Sequence, residues 1–77
     1  MMLDQQVDDK GTDQEEARRL LTALRDRGFQ GDNKMFAVAL GRSVEQVQGL
    51  IDGSEMIDDD VVMKARGIAV NRGVEIE

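Results

Sequence analysis

The fold is decided by residues 35–53, which read Met-Phe-Ala-Val-Ala-Leu-Gly-Arg-Ser-Val-Glu-Gln-Val-Gln-Gly-Leu-Ile-Asp-Gly. Ala37 is small enough to let two helices cross closely, and Gly41 suits a left-handed turn between them. Val47 and Leu50 then give the second of these helices an apolar face that packs against the first. This spacing predicts a helix-turn-helix unit.

Cap residues before this unit predict how the chain enters it. Thr12 and Glu15 have the spacing of a capping box, so the first helix is expected to start at Thr12. Gly28 is expected to stop that helix, because glycine readily takes the conformation that closes a helix. Asp32 or Asn33 is expected to cap the helix that follows.

The helices of the second half show the same pattern of a cap residue at the start and a glycine at the end. Ser43 and Gln46 repeat the capping-box spacing at the third helix, and Asp58 is expected to cap the fourth. Gly53 and Gly73 are expected to end these two helices. The expected core contains the apolar residues at helical spacing and two residues of the loop before the fourth helix: Ala17, Leu20, Leu21, Leu24, Phe36, Ala37, Leu40, Val44, Val47, Leu50, Ile51, Met56, Ile57, Val61, Ala65, Ile68 and Ala69.

Two segments lie outside these helices. Residues 1–11 are polar without an apolar period, and we expect them to form a disordered tail before a domain that spans residues 12–77. Residues 74–77 alternate apolar and acidic side chains, as the end of a strand does, but over a short length. The predicted fold class is therefore an all-α, compact bundle of four helices, to which residues 74–77 add at most a fifth element.

Composition narrows the classes of function. The chain has 16 acidic and 10 basic residues, and its net charge of -6 gives no overall electrostatic footprint for nucleic acid. It has no cysteine and no histidine, so the commonest catalytic and metal-binding side chains are missing. Neither an enzyme nor a cofactor or metal site is expected. Without a signal-peptide pattern or a bilayer-length apolar stretch, the sequence predicts a soluble, cytoplasmic protein without a membrane partner.

Residues 35–53 resemble the DNA-binding domain of the lambda repressor family. The matching features are Ala37, Leu40-Gly41, Val47, Leu50-Ile51 and Asp52-Gly53, followed in the fourth helix by Lys64-Ala65, Ile68-Ala69 and Arg72-Gly73. The resemblance implies a transcription regulator that places its third helix in the major groove of double-stranded DNA. It also implies a homodimer, for which Val62, Val70, Val74 and Ile76 are candidate interface residues.

Helix geometry assigns the candidate DNA contacts within such a fold. The outward-facing positions of the third helix are predicted to be Ser43, Glu45, Gln46, Gln48, Gly49 and Asp52. A glutamine amide can make a two-point contact to adenine, which suits Gln46 and Gln48. Lys34 and Arg42 are the candidates for phosphate contacts.

Acidic side chains on the same helix support a different function. Glu45 and Asp52 repel phosphate, although a carboxylate can also accept a hydrogen bond from cytosine. The alternative is therefore an acidic protein-interaction module that keeps the fold, does not bind DNA and presents its acidic face to a basic partner. The distribution of charge along the third helix separates the two: clustered cations favour DNA, and a continuously negative face favours a protein partner.

A second resemblance concerns the end of the first helix. Gly28 and Phe29, followed by Ala39-Leu40 and then Val47 and Leu50, are loosely similar to ubiquitin-associated three-helix domains. The resemblance implies that Phe29 is an exposed contact residue for a partner protein. The structural alternative is a core anchor, so the burial of Phe29 decides between them.

Overall fold

The computed structural model describes residues 13–76 and folds them into four helices. These are α1 (Gln14–Gly28), α2 (Asn33–Leu40), α3 (Val44–Asp52) and α4 (Asp59–Arg72). Residues 13–76 contain no strand, including residues 74–76, where the sequence alternates. The all-α, four-helix prediction is therefore confirmed, whereas the tail predicted for residues 1–11 lies outside the described residues.

Side-chain caps set the start of each helix. The N-cap of α1 is Asp13, whose carboxylate accepts from the backbone N–H groups of Glu15 at 3.1 Å and Glu16 at 3.2 Å. The helix therefore starts one residue later than expected from Thr12, which itself lies outside the described residues. A carboxylate also interacts favourably with the positive end of the helix dipole. Asp32 rather than Asn33 caps α2, and the predicted caps of α3 and α4 are confirmed.

Left-handed residues turn the chain after the helices. Gly41, Gly53 and Gly73 have φ values of 72°, 94° and 68°, which a residue with a Cβ adopts only at a cost. The connection from α1 to α2 differs from the prediction in one respect. Helix α1 does end at Gly28, but the positive φ values fall two and three residues later, at Gln30 and Gly31.

The core contains most of the predicted residues. Its buried members are Ala17, Leu20, Leu21, Leu24, Phe29, Phe36, Ala37, Leu40, Val47, Leu50, Ile57, Val61, Ala65 and Ala69. Val44, Ile51 and Ile68, expected inside, are partly buried and pack against this cluster. Only one of the two loop residues fits the prediction: Ile57 is 1% exposed, but Met56 is 79% exposed.

Phe29 is a core residue. Its ring lies 5.3 Å from that of Phe36, centroid to centroid, and the guanidinium of Arg72 lies over the Phe29 ring, 4.1 Å from its centroid. Phe29 is therefore held between α2 and the end of α4 and is not available as a contact residue. The interpretation of Phe29 as an exposed partner-binding residue is wrong.

Helices α1 and α4 run in the same direction and frame the bundle. At their starts, the Gln14 amide donates to the Ile57 carbonyl at 2.7 Å and accepts from the Ile57 N–H at 2.8 Å. At their ends, Arg72 Nε donates to the Gly28 carbonyl at 3.2 Å. Helices α2 and α3 pack against each other on the other side of the domain. Within the part of the chain that the structure describes, no helix is long and apolar enough to cross a membrane.

Candidate nucleic-acid interface

The turn between α2 and α3 has the geometry that the sequence predicts. The N–H of Gly41 donates to the Val38 carbonyl at 3.2 Å, and the N–H of Arg42 donates to the Ala37 carbonyl at 3.0 Å. These bonds satisfy carbonyl groups at the end of α2 while the left-handed Gly41 reverses the chain. As a result, only three residues, 41–43, separate the end of α2 from the start of α3.

The first turn of α3 is closed by a reciprocal capping box. Ser43 Oγ accepts from the Gln46 N–H at 3.1 Å, and Gln46 Oε1 accepts from the Ser43 N–H at 3.3 Å. Both side chains are exposed, as predicted. A two-point contact to adenine uses the carbonyl and the amino group of a glutamine together. Gln46 would therefore have to release its cap to make that contact.

The solvent-facing side of α3 carries two carboxylates. Glu45, Gln48 and Asp52 are all exposed, and their spacing of three and four residues places them on one face. We call these three residues the acidic stripe. Gln48 is its only amide and has no role in a helix cap, so it is the residue of the stripe best suited to read a base.

The prediction that Gly49 faces outward on α3 is wrong. Gly49 is buried because the turn after α3 folds back over it. The N–H groups of Gly53 and Glu55 both donate to the Gly49 carbonyl at 3.0 Å. A Cβ at position 49 would collide with Cγ of Glu55, so a glycine is required for this close approach.

Asp52 holds the same turn. Its carboxylate accepts from the Ser54 N–H at 2.9 Å and from the Ser54 hydroxyl at 2.8 Å. These two bonds, the backbone one first, lower the pKa of Asp52 below its ordinary value, and the charge of Arg18 acts in the same direction. Arg18 Nε also donates to the Leu50 carbonyl at 3.3 Å, where a cation is favourable at the helix C-terminus.

Cations lie around the turn rather than along the acidic stripe. Arg42 lies within the turn and is half-buried, and Lys34 is exposed near the start of α2, about 12 Å away along the helix. Sequence reasoning missed a third cation, Lys64 of α4. Its Nζ lies 3.2 Å from the position that a Cβ would take at Gly41. No local sequence pattern predicts the contact between Lys64 and Gly41, because it depends on how α4 packs against α2.

The structure brings some of the predicted site residues together and separates others. Arg42, Ser43, Glu45 and Gln46 gather at the turn and the first turn of α3, with Gln48 one turn further along. Within residues 13–76, no group of three or more histidine, cysteine, aspartate or glutamate side chains is placed to hold a metal ion. No protein-family model, curated protein or solved structure that was compared matches this chain.

Proposed function

We propose that the protein is a small helix-turn-helix regulator of the lambda-repressor-like kind, which binds double-stranded DNA through α3. In a helix-turn-helix, residues near the N-terminus of the second helix contact base edges, and the first helix crosses the backbone. The observation that supports this function is the exposed first turn of α3 beside a turn that contains Arg42 and is approached by Lys64 of α4. This combination offers polar side chains for bases next to cations for phosphates.

Each side chain has a role that follows from its position. Gln48 is suited to a two-point contact with adenine, and Glu45 to accepting from the amino group of cytosine. Ser43 lies where its hydroxyl can reach a phosphate or a base edge after the cap opens. Arg42, Lys64 and Lys34 supply the phosphate contacts.

The number of cations sets the expected salt dependence. Three phosphate contacts give a slope of about -2.7 for log affinity against log salt, or an affinity loss of about 40-fold between 50 and 200 mM salt. The acidic stripe lowers the affinity further, so binding is expected only at low salt. The expected behaviour is weak binding with a modest salt dependence, because only three cations face the phosphates.

The test is a fluorescence-anisotropy titration of a labelled mixed-sequence duplex at several salt concentrations. Arg42→Ala is expected to weaken binding several-fold and to reduce the salt slope by about one. Arg19→Ala is the matched control, since Arg19 is an exposed arginine on α1 outside the α2–α3 unit. Equal losses in the two variants, or no binding at the lowest salt, would contradict DNA binding through this surface.

The acidic stripe favours a second function, an acidic protein-interaction module for a basic partner. Glu45 and Asp52 place two carboxylates on the face of α3 that the first proposal turns toward DNA. One variant separates the two functions. Glu45→Gln strengthens binding to a mixed-sequence duplex if DNA is the ligand, because it removes a repelling charge. The same variant weakens binding to a lysine-rich peptide if the stripe receives a basic partner.

A further inference from the structure

The outer side of α2 is an apolar patch with a cation at each end. Val38 is 83% exposed, more than any other large apolar side chain of residues 13–76, and Met35 is 53% exposed. Spacings of three and four residues place Lys34, Met35 and Val38 on one side of the helix. Arg42 follows them in the turn after α2. We call these four residues the outer α2 face.

No negative charge on α2 balances its cations. The helix contains no acidic residue, and the carboxylate of its cap, Asp32, accepts from the N–H groups of Lys34 at 2.8 Å and Met35 at 3.3 Å. Within residues 13–76, no carboxylate forms an ion pair with Lys34 or Arg42. A ligand that complements the outer α2 face therefore combines apolar side chains with negative charge.

The chain itself carries a segment of this composition before the described residues. Within residues 1–12, the pairs Leu3-Asp4 and Val7-Asp8 each join an apolar side chain to a carboxylate. An extended chain spans at most about 3.3–3.6 Å per residue, so Asp4 and Asp8 can lie about 13 Å apart. The two cations of the outer α2 face are about 12 Å apart along the helix. The spacing of the two acids therefore matches the spacing of the two cations.

The position of Asp13 shows that this segment can reach α2. Asp13 and Asp59 line the same small groove, so the first described residue lies beside the start of α4. Five residues further along α4, Lys64 approaches Gly41 at the end of α2. The end of α2 is thus about 20 Å from Asp13, which is a turn and a half of helix plus the diameter of a helix. The start of α2 is about one helix length further away.

We infer that residues 3–8 bind the outer α2 face, with Asp8 at Arg42 and Asp4 at Lys34. The direction follows from the reach of the chain, because Asp8 can extend about 17 Å from the start of α1 and Asp4 about 30 Å. The apolar side chains of the segment then cover the apolar middle of the face. Because segment and face belong to one chain, a weak contact is sufficient at an effective concentration of roughly millimolar.

This contact would regulate DNA binding. Lys34 and Arg42 are also the proposed phosphate contacts, so the segment competes with DNA for them. This consequence rests on the proposed function, whereas the contact itself does not.

Paramagnetic relaxation enhancement in the full chain tests the contact. The chain has no cysteine, so Gln5→Cys gives a single site for a nitroxide label between the two acids. The amide signals of residues 34–38 are expected to broaden, and Val38→Glu in the labelled chain is expected to abolish this broadening. Val70→Glu is the matched control, since Val70 is 80% exposed and lies on α4. Far-UV circular dichroism verifies that both variants keep their helices. Broadening spread evenly over the four helices, or equal effects of the two substitutions, would overturn the inference.

A charge exchange within the labelled chain tests the assigned direction. Lys34→Asp places two carboxylates opposite one another and is expected to reduce the broadening of α2, and Asp4→Lys added to it is expected to restore the broadening. Failure of the double variant to recover would rule out the pairing of Asp4 with Lys34.

A titration with the mixed-sequence duplex separates the contact from its effect on DNA binding. Asp4→Asn combined with Asp8→Asn is expected to raise the affinity for the duplex several-fold. Glu15→Gln combined with Glu16→Gln is the matched control, because it changes the net charge equally at exposed positions of α1. Equal gains in the two double variants would refute the competition with DNA while the broadening of α2 upholds the contact. Absence of that broadening refutes the contact, whatever the affinities are.

Discussion

Replacement of Gln14 by alanine is expected to loosen the connection between α1 and the loop before α4. The Gln14 amide binds both backbone groups of Ile57, at 2.7 and 2.8 Å, as a peptide group of a neighbouring strand would. Ile57 itself is buried and inserts its side chain into the core. The two hydrogen bonds therefore hold a core residue that belongs to no helix.

The magnitude follows from these two bonds. Each contributes about 1 kcal/mol net, and a peptide group left partly buried without a partner costs more, so Gln14→Ala is expected to cost about 2–3 kcal/mol. A domain of this size has a free energy of unfolding of about 3–10 kcal/mol, so the loss is a large fraction of the total. With a urea m-value of about 1 kcal/mol/M, the midpoint should fall by about 2 M.

Urea unfolding followed by circular dichroism measures this loss, and amide hydrogen exchange at Ile57 locates it. Gln14→Glu is the matched control, because it keeps the shape and the accepting oxygen but places a carboxylate oxygen against the Ile57 carbonyl. That repulsion raises the folded-state pKa of the introduced carboxyl above its unfolded value of about 4.3. The protonated form can donate to the Ile57 carbonyl, so stability relative to wild type returns as pH falls through the raised pKa. A Gln14→Ala variant with an unchanged urea midpoint would refute the reasoning.

Four further substitutions of single residues can be tested by thermal unfolding or NMR. Gly41→Ala should lower the free energy of unfolding by about 1 kcal/mol, because its φ is 72°, whereas Gly67→Ala, in an open helical position, should raise it by up to about 1 kcal/mol. Gly49→Ala should destabilise the protein, because the turn after α3 must move aside; a stabilised variant would show that this turn does not cover the helix. Ser54→Ala should raise the pKa of Asp52 in an NMR titration, because it removes one of the bonds that lower it. A depressed folded-state pKa stabilises the protein above the unfolded pKa, and this stabilisation is lost as pH falls through the folded value. The variant should therefore also lose stability less steeply as the pH is lowered. An unchanged pKa of Asp52 would contradict the assigned hydrogen bond.

The helix ends were predictable because their causes are local. Ser43 and Gln46 lie three residues apart in the sequence, and that spacing alone allows the reciprocal bonds observed at the start of α3. Gly41 likewise predicts the left-handed turn from its residue type alone, because glycine adopts positive φ without steric cost. The near miss at the start of α1 has the same origin, because Thr12 and Asp13 are both good caps and periodicity does not separate neighbours.

The errors at the candidate site arise from contacts between segments. Gly49 was expected on the outer side of α3 from helix geometry, and the helix does have that geometry. The turn after α3 covers this position, and its path depends on Asp52 and Ser54 rather than on the helical period. Met56 and Ile57 are apolar neighbours, and the buried one, Ile57, is the one whose backbone bonds to the distant Gln14 amide.

These contacts limit what the proposed DNA-binding surface can do. The second half of α3 has structural roles: the following turn packs over Gly49, and Asp52 accepts hydrogen bonds that hold that turn. Glu45 and Gln48 are then the side chains that can contact bases without breaking a cap. Each good contact discriminates against a wrong base by about 1–3 kcal/mol, so two such contacts distinguish a short sequence at most. Specific regulation through α3 alone would therefore require two copies bound side by side, because doubling the number of contacts roughly squares the discrimination between sites.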